Sequence, residues 1–290
     1  MPQTSFSRLD YKLMTMFLAF LALGLLAALM LPPAVDWHEV YRPAALALLS
    51  GQNPYQVGGF LNPPWALFPL LPFALLPERI GRGLLFVTGL MITAWVAVKF
   101  GGNKSSLLPF LLSPPVIQGL YHGNIDWLVI LGFTLPSSIG LFFIILKPQL
   151  GIGLAIYWFL DSFRKKGIAP TIQLFLPATI AVGLSFALFG FYPSQIPQGL
   201  ITAGNASLWP ASLPLGLVFL VKAIRESKIE YSLVASPLLS PYVILHSWVG
   251  ALLALVRHPF EMWAAVLGLW LLILIQTAGY QDILKLIMLR

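Results

Sequence analysis

Ten apolar runs follow one another along this chain, at residues 13–31, 64–77, 83–99, 105–121, 124–139, 139–160, 169–190, 208–224, 231–256 and 259–281. A helix of about 20 apolar residues spans the roughly 30 Å of hydrocarbon in a bilayer. The runs therefore predict an all-α fold, a polytopic transmembrane helix bundle of about ten helices, with residues 1–290 forming a single transmembrane domain. Charge usage agrees: charged residues make up 9% of the sequence, against roughly 25% in soluble domains. Such a chain cannot cover a water-facing surface, so a soluble enzyme, a disordered chain, a coiled coil and a secreted disulfide scaffold are excluded. The sequence has no Cys, which also excludes thiolate metal sites and cysteine nucleophiles. The first run is too long for a signal-peptide core, and Pro32-Pro33-Ala34-Val35 is a poor cleavage site. A retained first helix is expected.

Several runs are short or carry proline. The run 64–77 begins beside Pro63 and ends at Pro77, and 105–121 contains Pro109, Pro114 and Pro115. Broken helices persist in a membrane where protein or a water-lined cavity satisfies the freed backbone groups, so the middle of the chain is expected to surround a cavity. The net charge of +7 comes from bursts of Lys and Arg between runs, a topology signal and not a nucleic-acid one. With the N-terminus in the cytoplasm and every run crossing, Arg8, Lys12, Arg79, Arg82, Arg164 to Lys166, Lys222, Arg225, Lys228, Lys285 and Arg290 lie inside. That is 12 of the 17 basic residues. The expectation is a multi-pass protein of the plasma (inner) membrane with both termini cytoplasmic.

Two longer loops then face outward, 32–63 and 191–209. In the first, Trp37, Val40, Tyr41, Ala44, Ala45, Leu48 and Leu49 recur at helical spacing, which predicts an amphipathic helix in the interface. Pro43 kinks or starts it, and Gly51 ends it. The aromatic residues Trp37, Tyr41, Tyr55, Trp65, Tyr192, Trp209 and Tyr242 suit an interfacial belt. No internal repeat is visible, which weighs against a two-fold transporter.

Few residues are equipped for chemistry. Asp36 follows the first run and has two readings. It fits a general base, and with Glu39 three residues on it also fits a capping box. Lys147, in LFFIILKPQLGIGL, lies within an apolar run beside a helix-breaking proline; no acidic residue is obvious at its depth, so a visiting anion is its expected partner. His246 stands alone in an apolar stretch expected to be helical. The turn Tyr121-His122-Gly123-Asn124-Ile125-Asp126 joins two short helices. Asn205-Ala206-Ser207 is a glycosylation sequon. Nucleotide cradles, the H-E-x-x-H zinc motif and D-x-D pairs are all missing from the sequence. No cofactor, no metal site and no nucleic-acid partner are expected.

The segments DWHEVYRPAALALLSGQNPY and FLNPPWALFPLLPFALLP resemble the first outer loop and second helix of C-type glycosyltransferases, most closely the bacterial polyprenyl-phosphate-mannose-dependent mannosyltransferases. SPPVIQGLYHGNIDWLVI, LKPQLGIGLAIYW and SPLLSPYVILH resemble further segments of that family in the same order, from about residue 13 to 255. The resemblance implies seven shared helices, a first outer loop with interfacial helices and a second outer loop at 191–209. It implies Asp36 as the base, and Lys147 with His246 on the donor phosphate. The family often has two adjacent His where this chain has only His246, and its G-Q-x-N pattern is H-G-N here, ending on Asn124. Glu39, Tyr41, Asn53, Tyr55, Asn62, His122, Asn124, Gln149 and Tyr242 are the substrate-binding candidates on these segments. The activity implied is inverting transfer of a sugar, mannose by resemblance, from a polyprenyl-phosphate carrier to a lipid-linked or envelope acceptor at the outer face. The alternatives are a transporter or flippase of a polyprenyl-linked lipid, and a non-enzymatic membrane subunit.

Overall fold

A computed structural model describes residues 8–195 and 204–278. Every regular element among them is helical. Three helices are long and apolar enough to cross a membrane: Glu78–Lys99, Ile168–Phe189 and Pro259–Thr277. Leu29, Phe260, Leu188 and Met30 are each more than 70% exposed. Exposed apolar side chains on this scale mark a surface solvated by lipid, so the chain is a helical membrane protein.

The chain divides into two compact units: Met1–Met91 with Leu120–Asn124 and Ser185–Ile196, and Ile92–Gly119 with Ile125–Leu184 and Pro197–Arg290. In the first unit α1 (Arg8–Met30) packs on the start of α4 (Glu78–Lys99). A Cβ on Gly83 would lie 2.1 Å from the Gly24 carbonyl oxygen. Only a hydrogen side chain permits that approach, the small-residue packing by which membrane helices meet. After α1 come a π-helix (Asp36–Tyr41) and α2 (Arg42–Leu49). Pro43 sits in the first turn of α2, where a missing N–H costs nothing. Gly51 follows at φ +73°, in the left-handed region that ends helices. The helix expected in loop 32–63 is present, in two contiguous pieces.

The run 64–77 departs from expectation. Its prolines leave a 3-10 stretch (Pro64–Leu70) and one turn of α-helix, α3 (Leu71–Ala74). Together these extend about 20 Å, too short to span, and they pack back against α2. His38 Nδ1 then meets Glu78 Oε1 at 2.5 Å. The run turns back, so Glu78, Arg79 and Arg82 lie at the same end as Asp36, and assigning Arg79 and Arg82 to the opposite side is corrected.

In the second unit α5 (Lys104–Leu111), α7 (Asp126–Gly132) and α8 (Ser137–Ile144) are all shorter than ten residues, as is α6 (Pro114–His122), whose last three residues belong to the first unit. Helices α7 and α8 pack as a hairpin, and a Cβ on Gly140 would lie 2.6 Å from the Gly132 oxygen. The runs 124–139 and 139–160 are therefore not two uninterrupted crossings. Helix α9 (Pro148–Lys166) starts at the break, is followed in the chain by α10 (Ile168–Phe189), and packs on α12 (Ile229–Leu238), which is joined to α11 (Leu213–Glu226). Gly153 donates its N–H to Ser236 Oγ at 3.0 Å, a contact a side chain would block. The run 231–256 breaks after α12 into a 3-10 turn (Leu245–Trp248) and α13 (Val249–Leu253). The last helix, α14 (Pro259–Ala278), packs on α5.

Candidate functional site

Two polar constellations form, one in each unit. In the first, Asp36 is the opening residue of the π-helix behind α1. Val35 takes the N-cap position and no side-chain cap forms. The expected capping box is thus absent, and Glu39 is exposed. The Asp36 carboxylate instead accepts a hydrogen bond from Asn124 Nδ2 at 2.5 Å. Local sequence explains the pairing. Helix α6 ends at His122, and Gly123 turns the chain at φ +71°. A Cβ on Gly123 would come within 2.7 Å of the Trp37 Cβ. Glycine alone lets the turn close on the fully buried Trp37 and deliver the next residue, Asn124, to Asp36.

The loop behind Asp36 is held by the residues expected to touch substrate. Tyr41 OH donates to Asn62 Oδ1 at 3.3 Å, and Tyr55 OH donates to the Asn62 carbonyl at 2.8 Å. Asn53 accepts the Tyr55 N–H at 3.0 Å, and its Nδ2 donates to the Phe189 carbonyl. Tyr55 stacks on Tyr192 with ring centroids 4.3 Å apart. Burial, aided by Tyr192, raises the Tyr55 hydroxyl well above its ordinary pKa, so it stays a neutral donor. Trp37, Tyr41, Tyr55 and Tyr192 are buried, which corrects their assignment to an interfacial belt; Trp209 is exposed.

In the second unit, Asp126 opens α7 and is buried. Lys147, buried at the N-cap of α9, places Nζ 2.7 Å from Asp126 Oδ1. His246, in the 3-10 turn after α12, meets Asp126 Oδ2 through Nδ1. Two expectations are corrected here. Lys147 has an acidic partner, and His246 lies on a turn and not midway along a helix. The proline after Lys147 does break the chain, as expected: Pro148 begins α9 and leaves Lys147 free of helical geometry. Gly119 faces Asp126, where an added Cβ would be 3.3 Å from Oδ2. With Nδ1 committed to a carboxylate, His246 has its ring oriented.

The other candidates are dispersed. His122 ends α6, half-buried, its ring 5.8 Å from that of Tyr121. Gln149 is in the first turn of α9 and Tyr242 precedes the 245–248 turn, both half-buried. Asn205 of the sequon is tied down, donating to the Pro241 carbonyl and accepting from the Ser207 and Val243 N–H groups. Two functional candidates were overlooked in the sequence. One is Asp126, the hub of the second constellation, which could have been found by seeking a carboxylate in the apolar runs to match Lys147. The other is Arg82, 5% exposed. No protein-family model, curated protein or solved structure matches the chain.

Proposed function

We propose that the chain is an inverting glycosyltransferase with a C-type glycosyltransferase-like, multi-pass fold. It transfers one sugar, mannose by resemblance, from a polyprenyl-phosphate carrier to a lipid-linked or envelope acceptor at the outer face. The observation that carries this reading is Asp36: a half-buried carboxylate spared from helix capping and oriented by Asn124. An amide donor can orient a carboxylate without giving up a proton. Asp36 Oδ1 or Oδ2 takes the proton of the acceptor hydroxyl as that oxygen attacks the anomeric carbon. The bond between that carbon and the phosphate oxygen breaks, and the polyprenyl phosphate leaves with the bond's electrons. Phosphate is a good leaving group, so a base matters more than an acid.

Negative charge grows on the departing phosphate. In this reading it is met by N–H groups of Lys147 and His246, both oriented in advance by Asp126. The Lys147–Asp126 pair is neutral overall, so these groups act as positioned hydrogen-bond donors and not as a bare cation.

The test is direct transfer by the purified chain in detergent, with a short-chain polyprenyl-phosphate mannose and a lipid-linked acceptor. Transfer without added metal, unaffected by EDTA, is expected. Transfer from a nucleotide sugar with no lipid carrier would overturn the donor assignment. Lipid movement between leaflets with no glycosidic bond formed would identify a transporter, and no activity of either kind a structural subunit.

A further inference from the structure

The first unit contains a cleft of about 700 Å³ that the transferase reading does not use. It is lined by Ala28 to Met30 at the end of α1, by Leu31 to Pro33 after it, and by His38, Pro77 and the α4 residues Glu78, Arg79 and Arg82. The buried Arg82 guanidinium donates through Nη2 to the Tyr121 carbonyl at 3.0 Å. Its Nε and Nη1 have no hydrogen-bond partner, and no carboxylate among the described residues pairs with it. A guanidinium keeps its charge, and a buried charge is costly without a counter-charge. Glu78, on the same wall, is engaged by His38. Exposed Arg79 adds a second cation. Leu29 and Met30 also line the cleft and are 84% and 74% exposed, an apolar track beside the cations.

We infer that this cleft binds a phosphate group carried on an apolar chain, with Arg82 and Arg79 on the phosphate and the end of α1 along the chain. The site shares no residue with the Lys147 and His246 constellation and stands whether or not the protein transfers sugars. A lipid phosphate supplies the missing counter-charge and covers the apolar track at once; a free phosphate supplies only the first.

Binding to the purified full chain in detergent tests this without any turnover; because farnesyl phosphate also resembles the carrier of the transferase reading, the response to variants at Arg82, Arg79 and Glu78 is what assigns binding to the cleft. The probes are farnesyl phosphate, farnesol and inorganic phosphate. Farnesyl phosphate should bind, with farnesol and inorganic phosphate each weaker by roughly tenfold or more. Arg82→Gln should weaken farnesyl phosphate by roughly tenfold or more. Arg79→Gln, at an exposed position, should weaken it about two- to fivefold. Glu78→Gln should tighten it by removing a carboxylate from the cleft wall. These last two variants keep the test decisive if Arg82→Gln does not fold. Equal binding of farnesol would make the cleft a purely apolar groove, and equal binding of inorganic phosphate a free-anion site; either overturns the inference. So would unchanged affinity in both Arg79→Gln and Glu78→Gln.

Discussion

Asp36 and Asp126 are both carboxylates held by a nitrogen donor, but their partners give them different work. Asp36 accepts a hydrogen bond from a neutral amide. If it is the base, Asp36→Asn should reduce turnover by roughly 10²–10⁴ while the protein stays folded, since no cap is lost. Glu39→Gln, at an exposed side chain, should be mild. An active Asp36→Asn enzyme would refute the assignment. Asp126 faces Lys147 and His246, and all three are buried. Removing an unpaired buried cation would relieve a desolvation cost. The ion pair reverses that sign. Lys147→Met strands a buried carboxylate and should cost about 3–5 kcal/mol. Adding Asp126→Asn should recover part of the loss. Thermal unfolding in detergent reads both, and a Lys147→Met protein of unchanged stability would show that the pair contributes nothing.

At the scale of elements, the early topology rests on whether the run 64–77 crosses. Apolar length pointed to a crossing, but proline converts the run into a short 3-10 segment that folds back on α2. Since α4 is one continuous helix, Lys99 lies about 32 Å along it from Glu78. The fold-back therefore moves Arg79 and Arg82 to the end that holds Asp36. Lys99, and Lys104 five residues on, then take their place at the other. Counting Lys and Arg assigns sides only once the crossings are fixed, so it cannot by itself tell the two arrangements apart. Labelling can, because the native chain has no Cys. Ser50→Cys and Arg79→Cys should react from the same side of the membrane with an impermeant maleimide, and Ser105→Cys should be protected. Opposite behaviour of positions 50 and 79 would restore the crossing.

For the whole molecule, the outward faces matter most. In α10 and α14 only 11% of the most apolar window is buried inside the protein. Their remaining faces need hydrocarbon, so the protein should stay with membranes through an alkaline carbonate wash and leave only with detergent. Release by carbonate alone would contradict a spanning protein.

The sequence by itself determined the helical class and the membrane setting, because apolar run length and charge scarcity are local sums that no contact can change. It also marked Gly51 as a helix end, Pro148 as a break and 121–126 as a polar turn, where one residue's backbone geometry suffices. Tertiary structure alone decided which runs fold back, because a proline-rich run reads the same whether it crosses or turns. It alone paired Asp126 with Lys147 and His246, 21 and 120 residues away in the chain. It likewise tied Tyr41 and Tyr55 to Asn62, bracing one loop. Charge pairing and burial depend on distances between segments remote in sequence, and periodicity carries no record of those distances.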